Sequence, residues 1–303
     1  MTVKPKLASL LSNWYSGATL LTILLNEHSA IVSNGETMFF DEHDTRRYDC
    51  SCGKFIDECE FYAATTKHMR LPGSAEWDKR LFVQVPGFTR KRILRSLLQS
   101  PRFECALRHH VIEAIPLYRG IRDRYLEAQL QFFANARTVS GASVYLDGTK
   151  SIRRAQLLAR DERSEMRVLH LVRDGRGFCA SYVKNRHPAP GWTDAAQAWL
   201  NYIGQVERFS RVFPSIPVHL VRYEDLCRST AHTLGAICRF LGIPYEAPGA
   251  GAKKEAHILG NRMRRTFNGA IVEDTSWRER LDEPTQARLT SLMRGPLERL
   301  GYL

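Results

Sequence analysis

Long apolar runs, internal repeats and a dense cysteine framework are all missing from this 303-residue chain. No stretch approaches the ~20 consecutive apolar residues that a bilayer-spanning helix needs. The nearest candidate, Leu7 to Leu25 behind Lys4 and Lys6, is interrupted by Ser12, Asn13, Ser16, Gly17 and Thr19. No small-residue cleavage site follows it, which sets it apart from a secretory signal. Seven cysteines are an odd and sparse set, better suited to a reducing compartment than to a disulfide scaffold. These absences predict a soluble cytoplasmic protein with no stable membrane insertion. The basic residues are not gathered into one arm, which argues against a dedicated nucleic-acid tail, and no nucleic-acid partner is expected.

What the chain does have is positive charge. Its 44 Lys and Arg against 32 Asp and Glu give a formal net charge of +12. Either this serves solubility alone, or it favours a polyanionic ligand such as a phosphorylated cofactor or an acidic substrate. Apolar content of 44% and charged content of 25% are ordinary for a globular protein, and the length supports a large core.

Strand-like and helix-like segments alternate. Leu7 to Leu11 reads as a buried strand, followed by a loop from Ser12 to Gly17 and helical spacing through Leu20, Leu21, Ile23, Leu24 and Leu25. Ala30-Ile31-Val32 is a second strand, stopping at Asn34-Gly35-Glu36. Residues 41 to 80 are polar and cysteine-bearing, and Thr89 to Phe133 carries helical periodicity punctuated by Pro101 and Pro116. Strands return at Ser143 to Leu146, Arg167 to Val172 and Val218 to Val221. Helices follow at Arg153 to Arg160, Ala195 to Val212, Thr230 to Leu241 and Pro284 to Leu300. This order predicts an α/β fold: a three-layer α/β/α, P-loop-like arrangement with a central parallel sheet. We expect one domain over residues 1–303, with a cysteine-bearing and helical insertion at about 41–140.

Three segments carry the chemistry of anion binding. In Tyr15-Ser16-Gly17-Ala18-Thr19-Leu20, the glycine lets backbone approach an anion and the following helix points free N–H groups at it. In Leu171-Val172-Arg173-Asp174, a strand ends in an arginine that can grip phosphate with two parallel donors, and Ser181 follows eight residues later. The alternative for Arg173 is an ion pair with Asp174 or another carboxylate. Arg222-Tyr223-Glu224-Asp225 closes the last strand, with Glu224 and Asp225 placed as helix-start acids. The first loop lacks the Gly-Lys-Ser/Thr ending of nucleotide triphosphatases, which argues against an ATPase or kinase.

Taken in order, these segments resemble the sulfotransferase family that uses 3′-phosphoadenosine 5′-phosphosulfate (PAPS) and releases 3′-phosphoadenosine 5′-phosphate (PAP). Cys227 to Tyr245, with Phe240-Leu241-Gly242-Ile243-Pro244, resembles the usual continuation. The resemblance implies that Tyr15, Ser16, Gly17, Ala18, Thr19 and Leu20 hold the 5′-phosphosulfate. It implies that Arg173 and Ser181 hold the 3′-phosphate and that Tyr223 lies near the adenine. Asn261-Arg262-Met263-Arg264-Arg265 resembles a late basic segment that closes over the 3′-phosphate, so Arg262 and Arg264 join the cofactor-binding set. Glu36 lies in an Asn-Gly-Glu segment similar to one in tyrosylprotein sulfotransferases, where the glutamate is the base. Its alternative is a helix-capping or salt-bridged carboxylate. Lys150 matches a strand-end lysine that stabilises charge on the leaving phosphate. Otherwise it is an exposed cation at a helix start.

The chain departs from the family pattern at one important place. Tyr15 stands where an arginine or lysine precedes Ser-Gly, and Ala18 replaces a hydroxyl residue. One lost donor or cation in such a site lowers a rate by about 10²–10³, so Lys150, Arg262 or Arg264 must compensate or catalysis is weak. Cys50-Ser51-Cys52-Gly53 with Cys59 resembles a Cys-x-Cys-Gly segment of bacterial sulfotransferases. These three cysteines are open to a zinc role with His43 or His68 as fourth ligand, to a local disulfide, or to staying reduced. Cys105, Cys179, Cys227 and Cys238 read as buried small residues. The aromatic residues Phe82, Phe88, Tyr118, Tyr125, Phe132 and Phe133 read as core.

The resulting expectation is sulfuryl transfer from PAPS to a hydroxyl or amine of a small-molecule or saccharide acceptor, with Glu36 as base, Lys150 as electrophilic support and no metal in the reaction. The alternative is a non-catalytic PAP- or PAPS-binding or regulatory homologue that lost activity through Tyr15. A homodimer is compatible with either.

Overall fold

Strand β1 (Lys6–Ser12) is buried along nearly its whole length, as a strand covered by helices on both faces must be. It lies at the middle of a five-stranded sheet with β2 (Ile31–Ser33), β3 (Val144–Asp147), β4 (Glu165–Val172) and β5 (Val218–Arg222), in the order β2-β3-β1-β4-β5. All pairings are parallel, with Ser9 opposite Asp147 and Ser12 opposite Leu171. The computed structural model describes residues 4–37, 49–67, 69, 105–249 and 255–303.

Alternation along each strand divides the core. Leu7, Leu11, Val32, Tyr145 and Val168 face one side, under α4 (Pro116–Ser140), α5 (Ile152–Leu158) and α7 (Trp192–Val212). Ala8, Leu10, Val144, Leu146, Leu169 and Val221 face the other, under α1 (Ala18–Asn26), α8 (Tyr223–Arg228) and α9 (Thr230–Leu241). The three-layer α/β/α expectation is met. A third cluster joins α6 (Gly175–Lys184) and α7 to α11 (Trp277–Arg280) and α12 (Glu283–Arg299) through Phe178, Trp199, Trp277 and Met293. The remaining helices are α2 (Glu60–Thr66), α3 (Ala106–Glu113) and α10 (Met263–Thr266).

Most elements fall within a few residues of their predicted limits, but α4 runs on to Ser140, past the periodicity ending at Phe133, and α2 falls in the polar, cysteine-bearing stretch. Helix α7 begins three residues before its apolar periodicity, because the Asp194 carboxylate accepts from the Gly191 N–H at 3.3 Å and caps its first turn. Tyr118, Tyr125, Phe132 and Phe133 are core residues, while Phe82 and Phe88 lie outside the described residues. Cys105 corrects the expectation of burial: it precedes α3 and is exposed. Cys227 is half-buried, whereas Cys179 and Cys238 are buried. No described helix is long and apolar enough to cross a membrane.

Parallel strands place every carboxyl end on one edge of the sheet. In such folds ligands bind there, where connections leave a central strand in opposite directions. Here β1 has β3 on one side and β4 on the other.

Candidate active site

Five of the segments singled out in the sequence lie just beyond a strand's carboxyl end. Asn13 to Gly17 follows β1, Asn34 to Glu36 follows β2, Gly148 to Lys150 follows β3, Arg173 follows β4, and Tyr223 follows β5. The loop after β1 turns through Tyr15 at φ 58° and Gly17 at φ 85°. Gly17 has no alternative, since a Cβ there would stand 2.5 Å from Cδ2 of Tyr223. The first bond inside α1 runs from the Leu21 N–H to the Gly17 carbonyl at 3.0 Å. The N–H groups of Ala18, Thr19 and Leu20 therefore have no carbonyl within the helix and face the loop with the positive end of the helix dipole.

Arg173 is buried and organises this half of the site. Its Nη1 donates to the Tyr15 carbonyl at 3.0 Å and to the Ser181 hydroxyl at 3.2 Å. Its Nη2 donates to the Asp274 carbonyl at 2.8 Å and to Asp274 Oδ2 at 3.0 Å. The guanidinium carbon lies 5.0 Å from the centroid of the Tyr223 ring, and the Tyr223 hydroxyl accepts from the Asp274 N–H at 3.0 Å. Burial works against the Asp274 charge, but the Ser276 hydroxyl and the Arg173 guanidinium outweigh it and hold the carboxyl down to about 2. Asp174 is engaged elsewhere, pairing with Arg176 at 2.6 Å and capping α6. The eight-residue spacing of Arg173 and Ser181 thus becomes a direct contact, and the carboxylate partner is Asp274.

The other half is a lysine–glutamate pair. Lys150 Nζ lies 2.7 Å from Glu36 Oε1, with both side chains about nine-tenths buried. Lys150 takes φ 60°, and its carbonyl accepts from the Tyr202 hydroxyl at 2.8 Å. The same hydroxyl accepts from the Ser12 N–H at 2.9 Å, so one tyrosine ties the ends of β1 and β3 together. Glu36 is fixed through its backbone: its N–H donates to the Leu259 carbonyl at 2.9 Å. Gly35 pairs with Leu259 through a single parallel bridge. At φ 66° and with the Leu259 oxygen 2.2 Å from where a Cβ would be, position 35 admits only glycine.

A cavity of about 780 Å³ opens between the Glu36–Lys150 pair and the Tyr15 end of the loop after β1. Trp14, Tyr15, Glu36, Lys150, Tyr182 and Arg186 are among its lining residues. Arg186 lies over two rings, with its guanidinium carbon 4.5 Å from the Trp14 centroid and 4.4 Å from that of Tyr182. Sequence reasoning missed this cation, because nothing in the order of residues links position 186 to the loop at 15.

A family profile described as the sulfotransferase family matches residues 10–247. The chain belongs to the sulfotransferase family. None of the curated proteins matches its sequence. Among solved structures it is similar to a sulfotransferase domain from the curacin biosynthetic pathway, at 16% identity and TM-score 0.49, covering 97% of this chain and 99% of that one. It is also similar to sulfotransferase STF9 from Mycobacterium avium, at 13% identity and TM-score 0.49, covering 99% and 77%. Mouse sulfotransferase SULT7A1 complexed with PAP matches at 11% identity and TM-score 0.45, covering 96% and 84%.

The late basic segment makes contacts of its own. Arg264 Nη2 donates to Asp49 Oδ1 at 2.6 Å and to the Asp49 carbonyl at 3.0 Å, so its guanidinium ties α10 to the loop at Asp49. Arg265 pairs with the same carboxylate. Arg262 is exposed at the start of α10. The cysteines Cys50, Cys52 and Cys59 come together, with His257 beside them. The other ligands considered, His43 and His68, lie outside the described residues.

Proposed function

We propose that this sulfotransferase moves a sulfuryl group from PAPS to a hydroxyl or amine of a small-molecule or saccharide acceptor. The observation that carries the reading is the Glu36–Lys150 pair at 2.7 Å, opening on a cavity shared with the loop at Tyr15. Glu36 takes the acceptor's proton, the freed lone pair attacks sulfur, and the bond from sulfur to the bridging oxygen of PAP breaks. Lys150 then meets the charge left on that oxygen. Ser16, Gly17, Ala18, Thr19 and Leu20 supply the donors around the 5′-phosphosulfate.

Arg173 and Ser181 hold the 3′-phosphate, and Tyr223 supports the adenine side. Binding exchanges one anion for another on Arg173, the phosphate displacing Asp274. Arg186 supplies the cation that the loop lacks at Tyr15, since both line one cavity. This favours turnover over a binding-only homologue. Arg262, exposed at the start of α10, is a further phosphate ligand in this reading, while Arg264 serves as a tie to Asp49.

Calorimetry with PAP, paired with transfer of radiolabelled sulfate from PAPS to a panel of small phenols, alcohols, amines and sugars, tests this reading. One PAP per chain and labelled product are expected. Binding without transfer to any acceptor would leave a nucleotide-binding homologue, and no binding would overturn the proposal.

A further inference from the structure

We propose that Cys50, Cys52, Cys59 and His257 form a structural zinc site that fastens the segment around residues 255–260 to the loop carrying Glu36. The four ligand atoms lie within 4.8 Å of one another. Cys50 Sγ and Cys59 Sγ lie 3.6 and 3.3 Å from His257 Nδ1, and Cys52 Sγ lies 3.7 Å from Cys59 Sγ. A tetrahedral zinc shell built from ordinary Zn–S and Zn–N bonds has edges of about 3.8 Å between sulfurs and about 3.6 Å from sulfur to nitrogen. A disulfide needs sulfurs about 2.05 Å apart, and all three cysteines are free.

The surroundings are also those of a metal site. His257 turns Nδ1 to the sulfurs while Nε2 lies 3.7 Å from a Glu255 carboxylate oxygen. At that separation the carboxylate is a charge neighbour of the ring and not a hydrogen-bond partner. The ring is held by stacking on Phe61, with centroids 4.6 Å apart and planes 11° from parallel. On the cysteine side, the Gly53 N–H bonds the Cys50 carbonyl at 3.0 Å and the Cys50 N–H bonds the Lys54 carbonyl at 2.9 Å. That tight turn brings Cys50 and Cys52 to one point. Three thiolates and an imidazole select zinc over magnesium, calcium or manganese, and four protein ligands close the shell against substrate. On binding, three thiol protons leave to solvent and three S–Zn bonds form.

The consequence for the active site follows from the chain beyond His257. Its carbonyl accepts from Asn34 Nδ2 at 3.1 Å and from the Tyr62 hydroxyl at 3.0 Å. Two residues later, Leu259 binds the Glu36 N–H. A metal at this knot therefore holds the strand-like contact that positions Glu36, a consequence that rests on the role proposed for Glu36.

The test uses the full chain purified without chelator. Metal analysis should give about one zinc per chain, and replacement by cobalt(II) should give the intense visible bands of a tetrahedral thiolate site. Cys52→Ser and His257→Ala should each lose the zinc, whereas Cys105→Ser should retain it. Cysteine alkylation should be suppressed at three positions until a chelator is added. A chain that binds no zinc or cobalt, or that carries a Cys52–Cys59 disulfide after reducing purification, overturns the proposal. Because the cobalt spectrum is read on the unaltered chain, a variant that fails to fold does not obscure the result. None of these readouts uses nucleotide or acceptor, so failure here and failure of the transferase reading are told apart.

Discussion

Asp274 Oδ2 lies 3.0 Å from Arg173 Nη2, on the guanidinium that also reaches Ser181. A carboxylate thus occupies donors that a 3′-phosphate would need. Asp274→Asn should tighten PAP binding by roughly tenfold, about 1.4 kcal/mol, because the competing charge is gone while the backbone contact to Tyr223 stays. Arg173→Ala should weaken it by at least about tenfold, in line with charge-assisted hydrogen bonds. Calorimetry checks both, and weaker binding by Asp274→Asn would show that the carboxylate supports the site. Protonation is no route to release, since the carboxyl is held down to about 2. Its stabilising effect is fully present above its ordinary value near 3.8 and is lost as pH falls through about 2.

The pair Glu36 and Lys150 predicts a coupled loss of turnover. Glu36→Gln should lower kcat by about 10²–10⁴ with little change in PAP affinity. Lys150→Met should lower it by about 10²–10³. The double variant should fall short of the product of the two, because each group contacts the other. Steady-state rates with a fixed acceptor decide this; an unimpaired Glu36→Gln would remove Glu36 as the base.

His170, on β4, is buried, its Nε2 has no hydrogen-bond partner among the described residues, and burial lowers its pKa to about 4. The unfolded chain therefore binds a proton below its ordinary value near 6.5 that the folded chain refuses until about 4. Stability should be complete above pH 6.5 and fall as pH drops from 6.5 to 4, by up to roughly 3 kcal/mol. Urea unfolding across that range measures it, and His170→Gln should flatten the slope.

Asp147 and Arg154 form an ion pair at 2.8 Å with both side chains almost wholly buried. Arg154 also reaches the Tyr125 hydroxyl at 3.3 Å and lies over the Phe133 ring. Asp147→Ala leaves an unpaired buried cation and should destabilise the chain by about 3–5 kcal/mol in denaturant titrations. The Asp147 carboxylate also accepts from the Thr149 N–H at 3.3 Å, so the same change should loosen the turn that presents Lys150.

The sheet and the two halves of the site were readable because their signals are local. A run such as Leu171-Val172-Arg173 places an arginine at a strand end from neighbouring residues alone, and so does Asp147 to Lys150. Pairings across the chain had no such signal. Asp274 is 101 positions from Arg173, and His257 is 198 from Cys59. The basic run around Arg264 gives no hint of its carboxylate partner Asp49, 215 positions away. Cys105 was misplaced for a subtler reason: helical periodicity gives a face but not where the helix begins.

Tyr15 and Lys150 both sit in the left-handed region, at φ 58° and 60°, where an L side chain is disfavoured by about 1 kcal/mol or more. Heat resistance and turnover should therefore pull these two positions apart. A library randomised at both and selected only for survival on heating should enrich glycine, which relaxes the backbone, while discarding the ring beside Tyr182 and the ammonium beside Glu36. Descendants that gain durability at position 150 would lose the ammonium on which the proposed transfer depends.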